Sequence, residues 1–89
     1  MRAIITVIGQ DRIGIIARVT GILAQCRVNV LDISQTILQE FFTMTMLTDL
    51  SAMEISLEEL SAKLKEAGEE MGLSIRVQHE ELFRSMHRI

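Results

Sequence analysis

The chain contains no proline, no tryptophan and no tyrosine, and only one cysteine, Cys26. Without proline, the turns must be built from Gly, Asn, Asp and Ser. A lone thiol excludes an internal disulfide, and no Cys/His spacing has the form of a zinc site. Three phenylalanines are the whole aromatic complement, and the first apolar segment holds none, so the stacking platform of a single-strand RNA binder is missing. There is no run of Lys and Arg, and the formal net charge is −3. Nucleic-acid binding needs clustered cations that displace counterions, so that partner class is not expected. No apolar run approaches the twenty residues of a membrane span. The opening stretch MRAIITVIG is interrupted by Gln10, Asp11 and Arg12 too early for a signal peptide. The expectation is a cytoplasmic protein with no membrane partner. No nucleophile stands beside a base in a recognisable motif, so neither catalysis, nor a metal, nor a cofactor is expected.

What is present fits one small domain. At 89 residues there is room for a single core. A domain of this size buries only about 60–65% of its unfolded surface, which makes self-association a plausible source of stability. Residues 2–8 are dense in β-branched side chains and apolar on both faces, the pattern of a central strand. Gly9, Gln10 and Asp11 are expected to break it. Over 12–26 the period changes. Ile15, Ile16, Val19, Ile22, Leu23 and Cys26 recur at three- and four-residue spacing, one face of a helix. Asp11 is the candidate N-cap, and Gly14 and Gly21 fall inside the helix.

A second strand is expected from Val28 to about Leu38, with Leu31, Ile33 and Ile37 on one face and Asp32, Ser34 and Thr36 on the other. That half-polar alternation suits an edge. Gln39-Glu40 is the expected hairpin turn, and Phe41–Thr48 the third strand. Ser56 followed by Glu59 is a capping box that opens a second helix with Leu57, Leu60, Leu64, Ala67 and Met71 as its stripe. Gly72 stops it, and Leu73, Ile75 and Val77 alternate along a fourth strand. From Glu80 onward, Leu82, Phe83, Met86 and Ile89 recur at helical spacing, which predicts a short amphipathic helix over about 80–88.

The order βαββαβ, with right-handed crossovers, predicts an α+β, ferredoxin-like sandwich with sheet order 4-1-3-2. That order leaves the second strand on an open edge, a ready site for self-association. The fold alone does not set the function. A copper carrier needs paired thiolates in the first loop, and Gly9–Gly14 has none. Arg12 and Asn29 are residue types an acylphosphatase uses, but its phosphate-cradling loop pattern is absent.

The segments GQDRIGI and CRVNVLDIS carry a resemblance. Gly9, Asp11, Arg12, Gly14 and Ile15, followed by Asn29 at the entry to the second strand, resemble the pattern of the ACT domain family over nearly the whole chain. Within that family the chain is similar to the small stand-alone proteins resembling the glycine cleavage system repressor. Ile13 departs from the Pro, Ser or Lys common at its position. The resemblance implies a regulatory, non-catalytic module that binds an amino acid where two copies meet, with higher oligomers open. Asp11, Arg12, Ile13, Gly14 and Ile15 of one copy would then face Asn29 and Val30 of another. The alternative is a subunit that docks a protein partner and takes no small ligand.

Physical chemistry gives these residues competing roles. A helix N-terminus offers unpaired N–H groups to a carboxylate. The Asn29 amide can address a carboxylate or an ammonium group. Asp11 can equally be a helix cap, Gly14 a packing glycine, Arg12 a solvated side chain and Asn29 a left-handed turn residue. Cys26 reads as a small core hydrophobe, and Met44, Met46 and Met71 as core fillers. His79 and His87 read as surface residues.

Overall fold

The computed structural model describes residues 1–81. Its elements are β1 (Arg2–Gln10), α1 (Ile15–Gln25), β2 (Asn29–Leu38), β3 (Phe41–Asp49), α2 (Leu57–Met71) and β4 (Leu73–His79). The strands form one sheet in the order β2-β3-β1-β4, with every neighbouring pair antiparallel. This is the predicted ferredoxin-like arrangement. The helix expected at about 80–88 lies, beyond Glu81, outside the described residues, as does His87.

Strand alternation sorts the sheet into two faces. On one face Ala3, Ile5 and Val7 of β1 stand beside Met44, Met46 and Thr48 of β3. These six are fully buried and share a single core with Ile15, Val19 and Leu23 of α1 and Leu60 and Leu64 of α2. Thr48 fits among them because its hydroxyl donates to the Ala3 carbonyl at 2.8 Å, leaving no buried polar group unpaired there. Ile22, Cys26 and Met71 pack at the margin of the core, half-buried, so the thiol is less enclosed than its place in the stripe predicts.

The ends of α2 follow the sequence signals. The Ser56 hydroxyl accepts from the Glu59 amide at 3.1 Å, and Gly72 adopts a left-handed φ of 71°. The start of α1 does not. The helix begins at Ile15 after Gly14, which has φ 91° and acts as the N-cap with no side-chain hydrogen bond. Asp11 is therefore not the cap, and Gly14 is not inside the helix. A left-handed residue cannot continue a right-handed helix, so the first turn starts one residue beyond it.

β1 likewise runs through Gly9 and Gln10 instead of stopping at them. Gly9 is a site of close approach: a Cβ there would lie 2.5 Å from Leu73 Cδ2. The left-handed turn after α1 falls on Arg27, φ 61°, and not on Asn29, which is the first residue of β2.

Candidate functional site

The first loop, Asp11–Gly14, hangs from the end of β1. Because β1 and β3 are antiparallel, Gln10 lies opposite Phe41, and the loop sits beside the β2–β3 hairpin. The Asp11 amide donates to the Glu40 carbonyl at 2.7 Å. The two-residue turn is sharp because Gln39 takes φ 57°.

Asp11, Arg12, Gly14, Ile15 and Ile16 line one side of a cavity of about 270 Å³, and Gln35, Ile37 and Phe42 line another. Ile13 is outside it and fully exposed. The cavity opens at the rim of the sheet. Its β2 residues belong to the helix face, since Gln35 pairs with Met44 and Ile37 with Phe42.

Arg12 and Arg18 have structural employment. Arg12 Nη1 donates to the Met71 carbonyl at 2.8 Å, at the C-terminal end of α2. That carbonyl carries the partial negative charge of a helix terminus, and a guanidinium there is favourable. Arg18 Nη2 meets Glu70 Oε2 at 2.6 Å. Together these contacts tie the start of α1 to the end of α2.

Asn29 and Val30 are at the other end of the molecule. Asn29 lies opposite Asp49, and Val30 opposite Thr48, whereas the loop neighbours Phe41, the first residue of β3. Eight strand steps at about 3.3 Å each put roughly 26 Å between the two groups. One chain therefore brings Asp11–Ile15 together but does not bring them to Asn29 and Val30.

A β-bulge follows Val30. Val30 pairs with Thr48 and Asp32 with Leu47, which leaves Leu31 as the extra residue. The bulge reverses the expected alternation. Val30, Ile33, Gln35 and Ile37 share the helix face, while Asn29, Asp32, Ser34 and Thr36 share the other. Leu31, which uninterrupted alternation sets in register with Ile33 and Ile37, is the extra residue and has no opposite number on β3. β2 is the edge strand, and Ile33 and Ile37 are 45% and 52% exposed.

Gln35, Ile37 and Phe42 line this cavity, and the sequence reading did not place them there. The signal for them was the strand order. It puts the start of β3, and with it the hairpin, next to the loop that follows β1.

The antiparallel 2-3-1-4 sheet with two helices on one face, entered by a glycine-broken first loop, defines a ferredoxin-like α+β domain. Residues 2–78 match the family model of the ACT domain, and the chain belongs to that family. A UPF0237 protein of Clostridium acetobutylicum is 55% identical over 89 residues, with both chains fully covered. An ACT domain protein from Streptococcus pneumoniae superposes with a TM-score of 0.81 at 37% identity, covering 93% of each chain. A glycine cleavage system transcriptional repressor superposes with a TM-score of 0.76 at 24% identity, over 89% of this chain and 47% of that one. That last likeness is one of fold. Among the described residues no helix is long and apolar enough to cross a membrane.

Proposed function

We propose that the chain is a non-catalytic regulatory module that binds a small molecule, an amino acid, at the joint between two copies of itself. The observation that carries this reading is the separation of the two halves of the site by most of the sheet's length. The loop Asp11–Ile15 lies at one end of the rim strand, and Asn29 and Val30 lie at the other. A two-fold axis at β2 sets antiparallel edges side by side, so that each end meets the opposite end of the partner.

A particular register is favoured. The bulge at Leu31 leaves 32–38 as the regular part of β2. Centring the axis on Gln35 sets Ile33 against the partner's Ile37, and Ile37 against the partner's Ile33. Both are exposed in the single protomer and on the same face, and apolar cross-strand pairs of this type contribute about 0.2–1 kcal/mol each. The same register carries Asn29 and Val30 past the partner's Leu38 to its first loop.

The cup so formed has Gly14 and the start of α1 on one side, where unpaired amides favour a carboxylate. Ile15, Ile37 and Phe42 supply an apolar wall. Val30 stands on the cup's side of the sheet. Asn29 stands on the other side by register, so its amide acts from the rim. Ligand binding across the joint favours the joined state, and coupling of this type is typically about 1–3 kcal/mol.

Calorimetry against the twenty common amino acids, run beside sedimentation velocity, tests the reading. The expected result is heat with at least one of them, and tighter pairing in its presence. Absence of heat and of any thermal shift with all twenty overturns the amino-acid assignment. A stoichiometric protein captured from native extract, retained by Asn29→Ala, would then favour the docking-subunit alternative.

A further inference from the structure

Exposed apolar side chains gather at one rim of the molecule. Among the described residues, Met1 and Ile8 are the only large exposed ones that stand elsewhere. The rest lie on the first loop, the first turn of α1, β2 and the opening residue of β3. Single apolar residues on a surface are ordinary, but a gathered patch marks a contact site.

Ile13 stands out in this group because it is wholly exposed on a loop that is fastened around it. Before it, the Asp11 amide donates to the Glu40 carbonyl, and Arg12 Nη1 donates to the Met71 carbonyl. After it, the Gly14 carbonyl accepts from the Arg18 amide at 2.9 Å. The loop thus presents Ile13 to solvent at no gain to the protomer's own core. Leu31 is its counterpart at the other end of the rim. As the extra residue of the bulge it has no opposite number on β3, and it is 46% exposed. Bulges at sheet edges re-aim a side chain and end regular pairing.

With a two-fold axis on Gln35, Leu31 of one copy comes level with Gln39 of the other. Gln39 adjoins Glu40, whose carbonyl holds Asp11. Two residues beyond Asp11 reach at most about 7 Å to Ile13, and paired strands lie about 4.8 Å apart. Ile13 and the partner's Leu31 are therefore within reach of one another. Charge has the same polarity. Asp11 and Glu40 are exposed at the loop end, and Arg27 is exposed two residues before Asn29. Edges laid in opposite directions bring that cation towards the partner's carboxylates, which sets orientation more than affinity.

We infer that Ile13 of each copy seats on the Leu31 bulge of the other, and that this contact closes the rim of the cup. Resting on the rim-to-rim register proposed above, it makes Ile13 part of the joint although it lines no part of the cavity in one chain.

Mixed disulfide trapping tests the contact. In a Cys26→Ser background, full-length chains with Ile13→Cys and size-tagged chains with Leu31→Cys are combined and mildly oxidised. Each chain then carries one thiol, so every disulfide joins two chains. The expected result is mixed product in at least tenfold excess over either self-linked product. A statistical mixture, or no product, overturns the inference. Gln35→Cys, oxidised alongside, separates the contact from the register beneath it. Trapping at Gln35 without mixed product leaves the register standing and removes the Ile13 contact; trapping at neither removes both. Ile13→Ser is further expected to weaken pairing about tenfold in sedimentation velocity, with an unchanged urea midpoint for the separated protomer. Pairing of parental strength in that variant overturns the inference.

Discussion

The amide of Asp11 donates to the carbonyl of Glu40 at 2.7 Å, and this bond fixes the first loop to the β2–β3 hairpin. Asp11 is thereby a residue of the loop's backbone scaffold and not a helix cap. The bond also locates the loop at the Leu38 end of the rim strand, away from Asn29. Within one chain the loop and Asn29 are therefore held at opposite ends of the rim.

Gly14 and Gly21 should respond to alanine in opposite directions. Neither has an atom within 4 Å of where a Cβ would stand, so sterics drop out and only the backbone counts. Gly14 holds φ 91°, a conformation that costs an L-residue about 1–2 kcal/mol. Gly21 lies inside α1 with ordinary helical geometry, where alanine gains about 0.5–1 kcal/mol. Urea unfolding of Gly14→Ala and Gly21→Ala is expected to give a loss and a gain of those sizes. Two losses would mean that Gly21 has a role beyond its own chain.

Removing the Arg12 guanidinium should weaken the junction of α1 and α2 more than it changes any ligand contact. Arg12 donates to the carbonyl of Met71, and a cation at a helix C-terminus contributes about 0.3–1 kcal/mol when exposed. Arg12→Ala is expected to lower stability by that amount in chemical denaturation. Arg12→Lys, which keeps the charge, should recover part of it. An affinity loss in Arg12→Ala without any loss of stability would assign the guanidinium to the ligand instead.

Asp49 gives a pH dependence with a definite sign. Its carboxyl is held below the usual carboxylate range, first by the Ser51 hydroxyl and then by the Ser51 amide, with smaller attractions from the N-terminal ammonium and Arg2 opposing a desolvation cost. The bonds are 2.6 Å from the hydroxyl and 3.0 Å from the amide. A carboxyl depressed in the folded state stabilises fully above its unfolded value, near 4, and that contribution is lost as pH falls through the folded value. NMR titration should show Asp49 below the ordinary range in the parent chain and moved back up in Ser51→Ala. An unchanged titration in the variant would contradict the assigned cause.

Much of the fold was legible because its signals were local. Two-sided apolar character marked β1 as central, Ser56 and Glu59 marked the start of α2, and Gly72 marked its end. Edge position was readable in the Asp32, Ser34 and Thr36 alternation of β2. The start of α1 was not legible. An acidic residue before an apolar stripe is the ordinary mark of a cap, and nothing in the local sequence reveals that Gly14 turns left-handed and delays the helix. The bulge at Leu31 was hidden for the same reason: alternation cannot announce its own interruption. Of the candidate site, only the loop residues could be proposed from type and order. Their partners Gln35, Ile37 and Phe42 come from other strands, and only the sheet register brings them there.

Pairing at the rim also predicts a selective variant. Ile33 lies outside the buried core cluster and is 45% exposed, so Ile33→Asp is expected to cost the protomer only about 1 kcal/mol, the span of strand propensity. Set against the partner's Ile37, it should weaken the dimer at least tenfold in sedimentation velocity. A dimer of parental affinity would exclude Ile33 from the joint.

Disulfide trapping at the axis tests the joint most directly. In a Cys26→Ser background, Gln35→Cys puts one thiol on the proposed two-fold axis. Residues opposite one another in an antiparallel pair have Cα atoms about 4.5–5.5 Å apart, within disulfide reach. Mild oxidation is expected to convert the variant almost wholly to a covalent dimer that retains its fold, while Arg76→Cys on β4 stays monomeric. No more dimer from Gln35→Cys than from Arg76→Cys would contradict the account.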